Sequence, residues 1–217
     1  MKRFVLLTGA LIALAATDRW AARTSPPTGV SGWAAAAETA ADSARAKLAE
    51  LEEILSSKND NDPRLDHDFN GLSPETKRLF RKKYGQIPVE KRNERGTIVY
   101  LLGRNLVAGE DWKFFRQVAL EAPCLSLADC SKKPAPGSDE EATGDEVTLA
   151  YPSLVALRQA RRVLEEARAP RAAAKSPPSG TAKTETEALN LFAAAKESKT
   201  RAVARMAALL EKKFAAP

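Results

Sequence analysis

The sequence predicts an all-α protein. The helices pair antiparallel, either stacked as a short solenoid or gathered as an irregular bundle. Three observations predict this. Apolar residues recur at steps of three and four in segment after segment, the period of one helix face. Ser, Pro and Gly sit between these segments, at positions that start and stop helices. No stretch alternates with period two. The one β-like word, Thr97-Ile98-Val99-Tyr100, has helical flanks.

The N-terminus reads as an address. Met1-Lys2-Arg3 precedes thirteen uncharged residues, Phe4 to Ala16, and Ala13 and Ala15 supply small residues for a peptidase. That is the layout of a secretory signal, with cleavage after Ala15. The apolar run falls short of the roughly 18 residues that suggest a membrane span. The expected location is therefore periplasmic or secreted, with no transmembrane span in the mature chain. Residues 16–32 carry Pro26, Pro27, Gly29 and Gly32 and read as a flexible lead-in.

A helical core domain is expected over 33–130. Its first helix runs from Trp33 to Ser57, with Ala41, Ala44, Leu48, Leu51 and Leu55 on one stripe. The stripe is narrow, so this helix needs a partner. A polar loop follows over 59–71. Ser73-Pro74-Glu75 starts a second helix, because Ser is a good cap and Pro fits the first helical position. Leu79, Phe80 and Tyr84 face inward, and Gly85 ends the helix. Pro88 opens a third helix that runs to Leu102 and stops at Gly103. Val89, Ile98, Val99, Leu101 and Leu102 are its buried candidates. Gly96 within it costs about 1 kcal/mol against Ala, which close approach by a neighbouring helix would explain. Asp111 caps a fourth helix to about Glu121, with Trp112, Phe115, Val118 and Ala119 inward.

Cys124 and Cys130 are the two cysteines of the chain. An even count in an exported chain reads as a disulfide. The spacing is not C-x-x-C, and two thiolates with the single His67 leave a zinc site incomplete. Residues 131–150 read as an acidic, disordered linker. The C-terminal part, 151–217, holds a helix from Pro152 to Ala167 with Leu154, Leu157 and Leu164 on one face. A Pro/Ser linker at 170–184 follows. Thr184 to Glu187 forms a capping box for two final helices, 185–197 and 199–214, broken near Ser198. These helices either dock on the core or stand apart behind the linker.

Two segments look like helical-hairpin repeats: VEKRNERGTIVYLLGRNLVAGEDWKFFRQVALEAP and ETEALNLFAAAKESKTRAVARMAALLEKKF. The second resembles a HEAT repeat, with an apolar first helix, a short polar break at Glu197-Ser198-Lys199, and Arg201 and Val203 early in the second helix. Resemblance to HEAT-type exported bacterial proteins implies a right-handed stack of antiparallel helix pairs used for protein contacts.

Two clusters invite a functional reading. Asp66, Asp68 and Asn70, with Gly71, match the first half of an EF-hand calcium loop. The twelfth position, where a bidentate Glu belongs, is Lys77, and such loops also form for turn reasons alone. Calcium is the one cofactor the sequence brings to mind. Lys77, Arg78, Arg81, Lys82 and Lys83 form a basic patch on the second helix. It could meet phosphates or an anionic envelope polymer, or be a solvated face near a helix C-terminus. Export argues against nucleic acid.

The net charge is +6, spread along helices. No G-x-S-x-G, H-E-x-x-H, Walker or dinucleotide motif occurs. The sequence therefore reads as a non-catalytic module that binds or scaffolds another protein in the cell envelope. The alternative is a calcium-dependent factor or small hydrolase acting on envelope polymers. A carboxylate pair in a deep cleft would favour the enzyme. An apolar or mixed groove along the helices would favour the binding module.

Overall fold

The structure, a computed structural model, describes residues 30–107, 109–134, 144–169 and 181–215. The expected signal peptide at 1–15, the lead-in up to residue 29, residues 135–143 of the acidic linker and 170–180 of the Pro/Ser linker lie outside them. The chain divides into residues 1–37 and 38–217. Of the first unit, only the start of one helix is described.

Among the described residues every regular element is a helix. In order they are α1 (Val30–Ser57), α2 (Arg64–His67), α3 (Pro74–Gln86), α4 (Arg92–Arg104), α5 (Gly109–Ala119), α6 (Glu146–Leu149), α7 (Tyr151–Arg168), α8 (Thr181–Ala195) and α9 (Arg201–Ala215). The all-α expectation holds.

The start of α3 is as expected. Ser73 Oγ accepts a hydrogen bond from the Thr76 amide at 3.1 Å, and Pro74 takes the first helical position. Its end is not. Gly85 stays inside the helix, which runs to Gln86 and stops at extended Ile87. The next residue is Pro88, which disfavours helical geometry in its predecessor. The proline, not the glycine, ends α3. Pro88 then begins a turn rather than a helix, since the Lys91 amide bonds the Pro88 carbonyl at 3.0 Å. Helix α4 starts only at Arg92, so Val89 is left exposed rather than buried. Nor does Gly103 stop α4, which includes it. In α5, Asp111 lies in the first turn rather than capping it. Thr184 likewise lies inside α8, three residues past its start, so it is not a cap.

Helix α7 is the hub of residues 38–217. It packs against α4, α5, α8 and α9. Residues Pro152 to Leu157 are buried without interruption, which fits a helix covered on several sides. Ser153 is satisfied there by donating to the Val118 carbonyl at 2.7 Å. One hydrophobic cluster joins all the longer helices. It holds Leu51, Phe80, Val99, Leu102, Phe115, Val118, Leu157, Leu191, Phe192, Val203 and Phe214. The C-terminal pair is therefore docked. Leu79, expected in this cluster, is only half-buried and lies outside it.

The glycines of α4 explain its closeness to α7. Gly96 and Gly103 are seven apart, so they share a face. A Cβ at Gly96 would lie 2.2 Å from Tyr151 Cε1, and one at Gly103 would lie 2.4 Å from Gln159 Cγ and 2.5 Å from its Cβ. The close approach expected at Gly96 exists, and Gly103 makes a second one that the sequence does not announce. Gly103→Ala should cost about 1–3 kcal/mol by overpacking, of which better helix propensity returns about 1 kcal/mol. Urea denaturation checks this. An unchanged midpoint would mean that α7 gives way freely.

Candidate functional site

The calcium-like loop is occupied from within. Gly71 makes the expected sharp turn with φ +66°. Yet Arg104, from the last turn of α4, reaches into the loop. Its guanidinium donates to the Leu65 carbonyl at 2.8 Å, the Asp66 carbonyl at 2.7 Å, Asn70 Oδ1 at 2.7 Å and Asp66 Oδ1 at 3.4 Å. Tyr100 also donates to Asp66 Oδ1 at 2.9 Å. Asp68 is exposed and does not join them. A side-chain cation thus holds two of the three proposed ligands. Among the described residues no group of three or more His, Cys, Asp or Glu is placed to hold a metal.

The basic patch does not form one face. Lys77 is buried, and its ammonium donates to Asp111 Oδ2 at 2.8 Å and to the Asn105 carbonyl. Arg81 donates to Asp111 Oδ1 at 2.9 Å. Arg78 pairs with Glu75 and Lys83 with Glu52, both at 2.6 Å. Lys82 is exposed. The helical period explains the split. Lys77, Phe80 and Tyr84 lie at i, i+3 and i+7 and so point inward together.

Cys124 and Cys130 lie at disulfide distance, with sulfurs 2.01 Å and α-carbons 4.2 Å apart. The Leu125 amide bonds the Cys130 carbonyl at 3.0 Å and closes the loop. Arg92 ties it to α6, touching Cys130 Sγ at 3.5 Å while donating to the Thr148 carbonyl at 3.1 Å. Beside it, the Ser131 hydroxyl, the Lys132 ammonium and the Ser131 amide lower the Asp129 carboxyl to about 2.

Glu121, which lines a cavity of about 400 Å3 with Arg95 and Tyr84, is also engaged. It accepts from Arg95 at 2.6 Å and from the Tyr84 hydroxyl at 2.9 Å. Burial first, and then the Glu121 charge, push the Tyr84 hydroxyl well above its ordinary value. The Arg95 guanidinium also stacks 4.0 Å from the Tyr84 ring. This network clamps α3 and α4 to the segment that follows α5.

A different surface is open. Helices α6, α7 and α9 flank a groove of about 570 Å3. Arg201, Arg205 and Leu209 line one wall at steps of four along α9, with Met206 beside them. Leu154 and Arg158, also four apart, supply the α7 wall. Glu146 and Val147 of α6 close it. Val147 is 51% exposed and Leu209 62% exposed, although α9 buries Val203, Ala207, Leu210 and Phe214 on its other side. Glu146 accepts from the Ala202 amide at 2.9 Å and so caps the start of α9.

The three groove arginines stand apart from the rest. Every other arginine among the described residues bonds a carboxylate or, for Arg92, a carbonyl. Arg158, Arg201 and Arg205 are exposed and bond neither. Sequence reasoning missed this site. Its signal was present in Arg201-x3-Arg205-x3-Leu209, which falls off the apolar stripe of α9.

Comparison with known proteins finds no matching family model, no matching curated protein and no matching solved structure.

Proposed function

We propose that this chain is a non-catalytic module that binds another protein, and that it docks its partner in the groove between α6, α7 and α9. The observation that carries the reading is the joining of exposed Leu209 and Val147 to three unpartnered arginines in one concavity. Arg and Met are enriched at protein interfaces, and apolar residues beside them supply the buried centre. The carboxylates that could serve chemistry support the same reading. Asp111 and Glu121 are both bonded to arginine and hold helices together.

The packing bears on the choice between a HEAT-like stack and an irregular bundle. In a solenoid each repeat contacts only its neighbours. The two helices of the first expected hairpin, α4 and α5, each pack on α7 more than on each other, which favours the bundle. The site of action is the periplasm or the exterior. The signal-like start and the cysteine pair at bonding distance support that placement.

Photo-crosslinking tests the proposal. Benzoylphenylalanine replaces Leu209 in one full-length chain and Lys82 in another, each expressed in the native cell. A discrete protein adduct from the Leu209 position alone is expected. No adduct from Leu209, or the same adducts from both positions, would overturn the reading.

A further inference from the structure

We propose that the partner presents an acidic amphipathic helix, with carboxylates facing Arg158, Arg201 and Arg205 and an apolar residue facing Leu209. The inference rests on the docking reading above and names the chemistry of the occupant.

The groove carries costs that such an occupant removes. Arg201 and Arg205 are four apart on α9, a like-charge spacing that destabilises a helix. Arg201 also opens α9, in the first turn, where the helix dipole disfavours a cation. No acidic residue lies in the first turn of α9 to offset them. Arg158 adds a third positive charge from the facing helix. No bond among the described residues repays this arrangement. Carboxylates from outside would. One carboxylate already lies at this end, since Glu146 accepts from the Ala202 amide. It bonds backbone, and the guanidinium groups remain open.

Residue type and shape narrow the partner further. All three cations are arginine, whose planar fork matches a carboxylate with two parallel bonds. Along α9 the lining reads Arg, Arg, Leu at intervals of about 6 Å, the rise of four helical residues. A helix lying alongside repeats its own side chains at that same rise, so two acidic residues four apart and an apolar residue one turn further match all three positions. The surface is concave, with Leu154 and Met206 toward its floor and Val147 on the rim. Concavity suits a helix laid in a groove. A bilayer needs a flat or convex face.

The test uses the full chain and a labelled helical peptide of about five turns. The peptide carries Glu at two positions four apart, with Leu one turn on. Its comparators are the same peptide with Gln for Glu, polyglutamate, and vesicles of phosphatidylglycerol. Fluorescence anisotropy reads peptide and polymer binding, and sedimentation reads vesicle binding. Saturable binding of the acidic peptide is expected. It should weaken about tenfold when both Glu become Gln, and about tenfold when the protein carries Arg201→Gln and Arg205→Gln. These arginines bond nothing described, so the variant should fold, and its melting temperature checks that it does. Leu209→Gln should also weaken the peptide.

Equal binding of the Gln peptide would overturn the proposal. So would tighter binding of polyglutamate or of vesicles, or no binding of any probe. So would peptide binding that appears only after Asp139→Asn, Glu140→Gln and Glu141→Gln, because the chain's own acidic run would then be the occupant. The two readings fail differently. If the Leu209 crosslink survives in the arginine double variant, the groove docks a partner whose chemistry is not acidic. If the crosslink is missing in the native chain as well, the docking reading falls too.

Discussion

Asp111→Ala is expected to destabilise the protein by about 3–5 kcal/mol, the usual cost of breaking a buried ion pair from one side. Asp111 is the shared anion of two cations from α3. Its carboxylate accepts from Lys77 at 2.8 Å and Arg81 at 2.9 Å, and Oδ2 also accepts from the Val107 amide at 3.2 Å. The Lys77 and Asp111 side chains are only 10% and 3% exposed. Arg81 can turn toward solvent once its partner is lost. Lys77 cannot, and its ammonium would keep only the Asn105 carbonyl. Asn105 is itself committed, since its side chain bonds Leu72, Phe69 and Leu101. The loss would therefore spread to the loop before α3 and the end of α4. A total stability of about 5–15 kcal/mol makes this a large fraction. Urea denaturation measures it. The double variant Lys77→Met, Asp111→Leu should regain most of the loss, because apolar residues of similar size often replace a buried pair without cost. A single-variant loss below about 1 kcal/mol would show that water reaches Lys77.

The pair shows what was and was not legible in the sequence. The period of α3 placed Phe80 and Tyr84 inward correctly, and it placed Lys77 with them. Its charge, however, assigns Lys77 to a surface patch, and in a string charge outweighs period. Its counter-charge, Asp111, lies thirty-four residues away and resembled a helix cap. Pairing across that separation is a tertiary fact that local spacing does not carry. Local signals fared better where the physics is local. Ser73 caps, Pro74 starts a helix, the last two helices break near Ser198, and Gly96 marks a close approach. Gly85 and Gly103 misled because glycine inside a helix and glycine ending one look alike in a string. The Ile87-Pro88 step was the firmer stop. The groove stayed hidden for a further reason. Arg201, Arg205 and Leu209 gain meaning only when α6 and α7 complete the concavity, and short α6 depends on an Asp145 cap, with bonds of 2.8 Å to the Val147 and Thr148 amides, in a segment whose composition is that of a linker.

Leu102→Ala should cost about 2–5 kcal/mol, while Lys82→Ala should change stability by no more than about 0.5 kcal/mol. Leu102 is 1% exposed in the shared cluster. It lies one residue before Gly103, one of the two points where α4 closely approaches α7, so neighbouring side chains have little room to collapse into the space it leaves. Tight packing between helices favours the upper half of the range, because the cost grows with the cavity that remains. Lys82 lies on the outer face of α3, exposed and two residues from buried Phe80. Leu79, half-buried outside the cluster, should fall between them. The three variants form a ladder that depends only on which way each helix face points. Chemical denaturation of all three gives the order directly. If Lys82→Ala costs as much as Leu102→Ala, the outer face of α3 is covered. Its rotation would then be wrong, and the buried place of Lys77 beside Asp111 would go with it, since both residues are fixed by the same turn of helix.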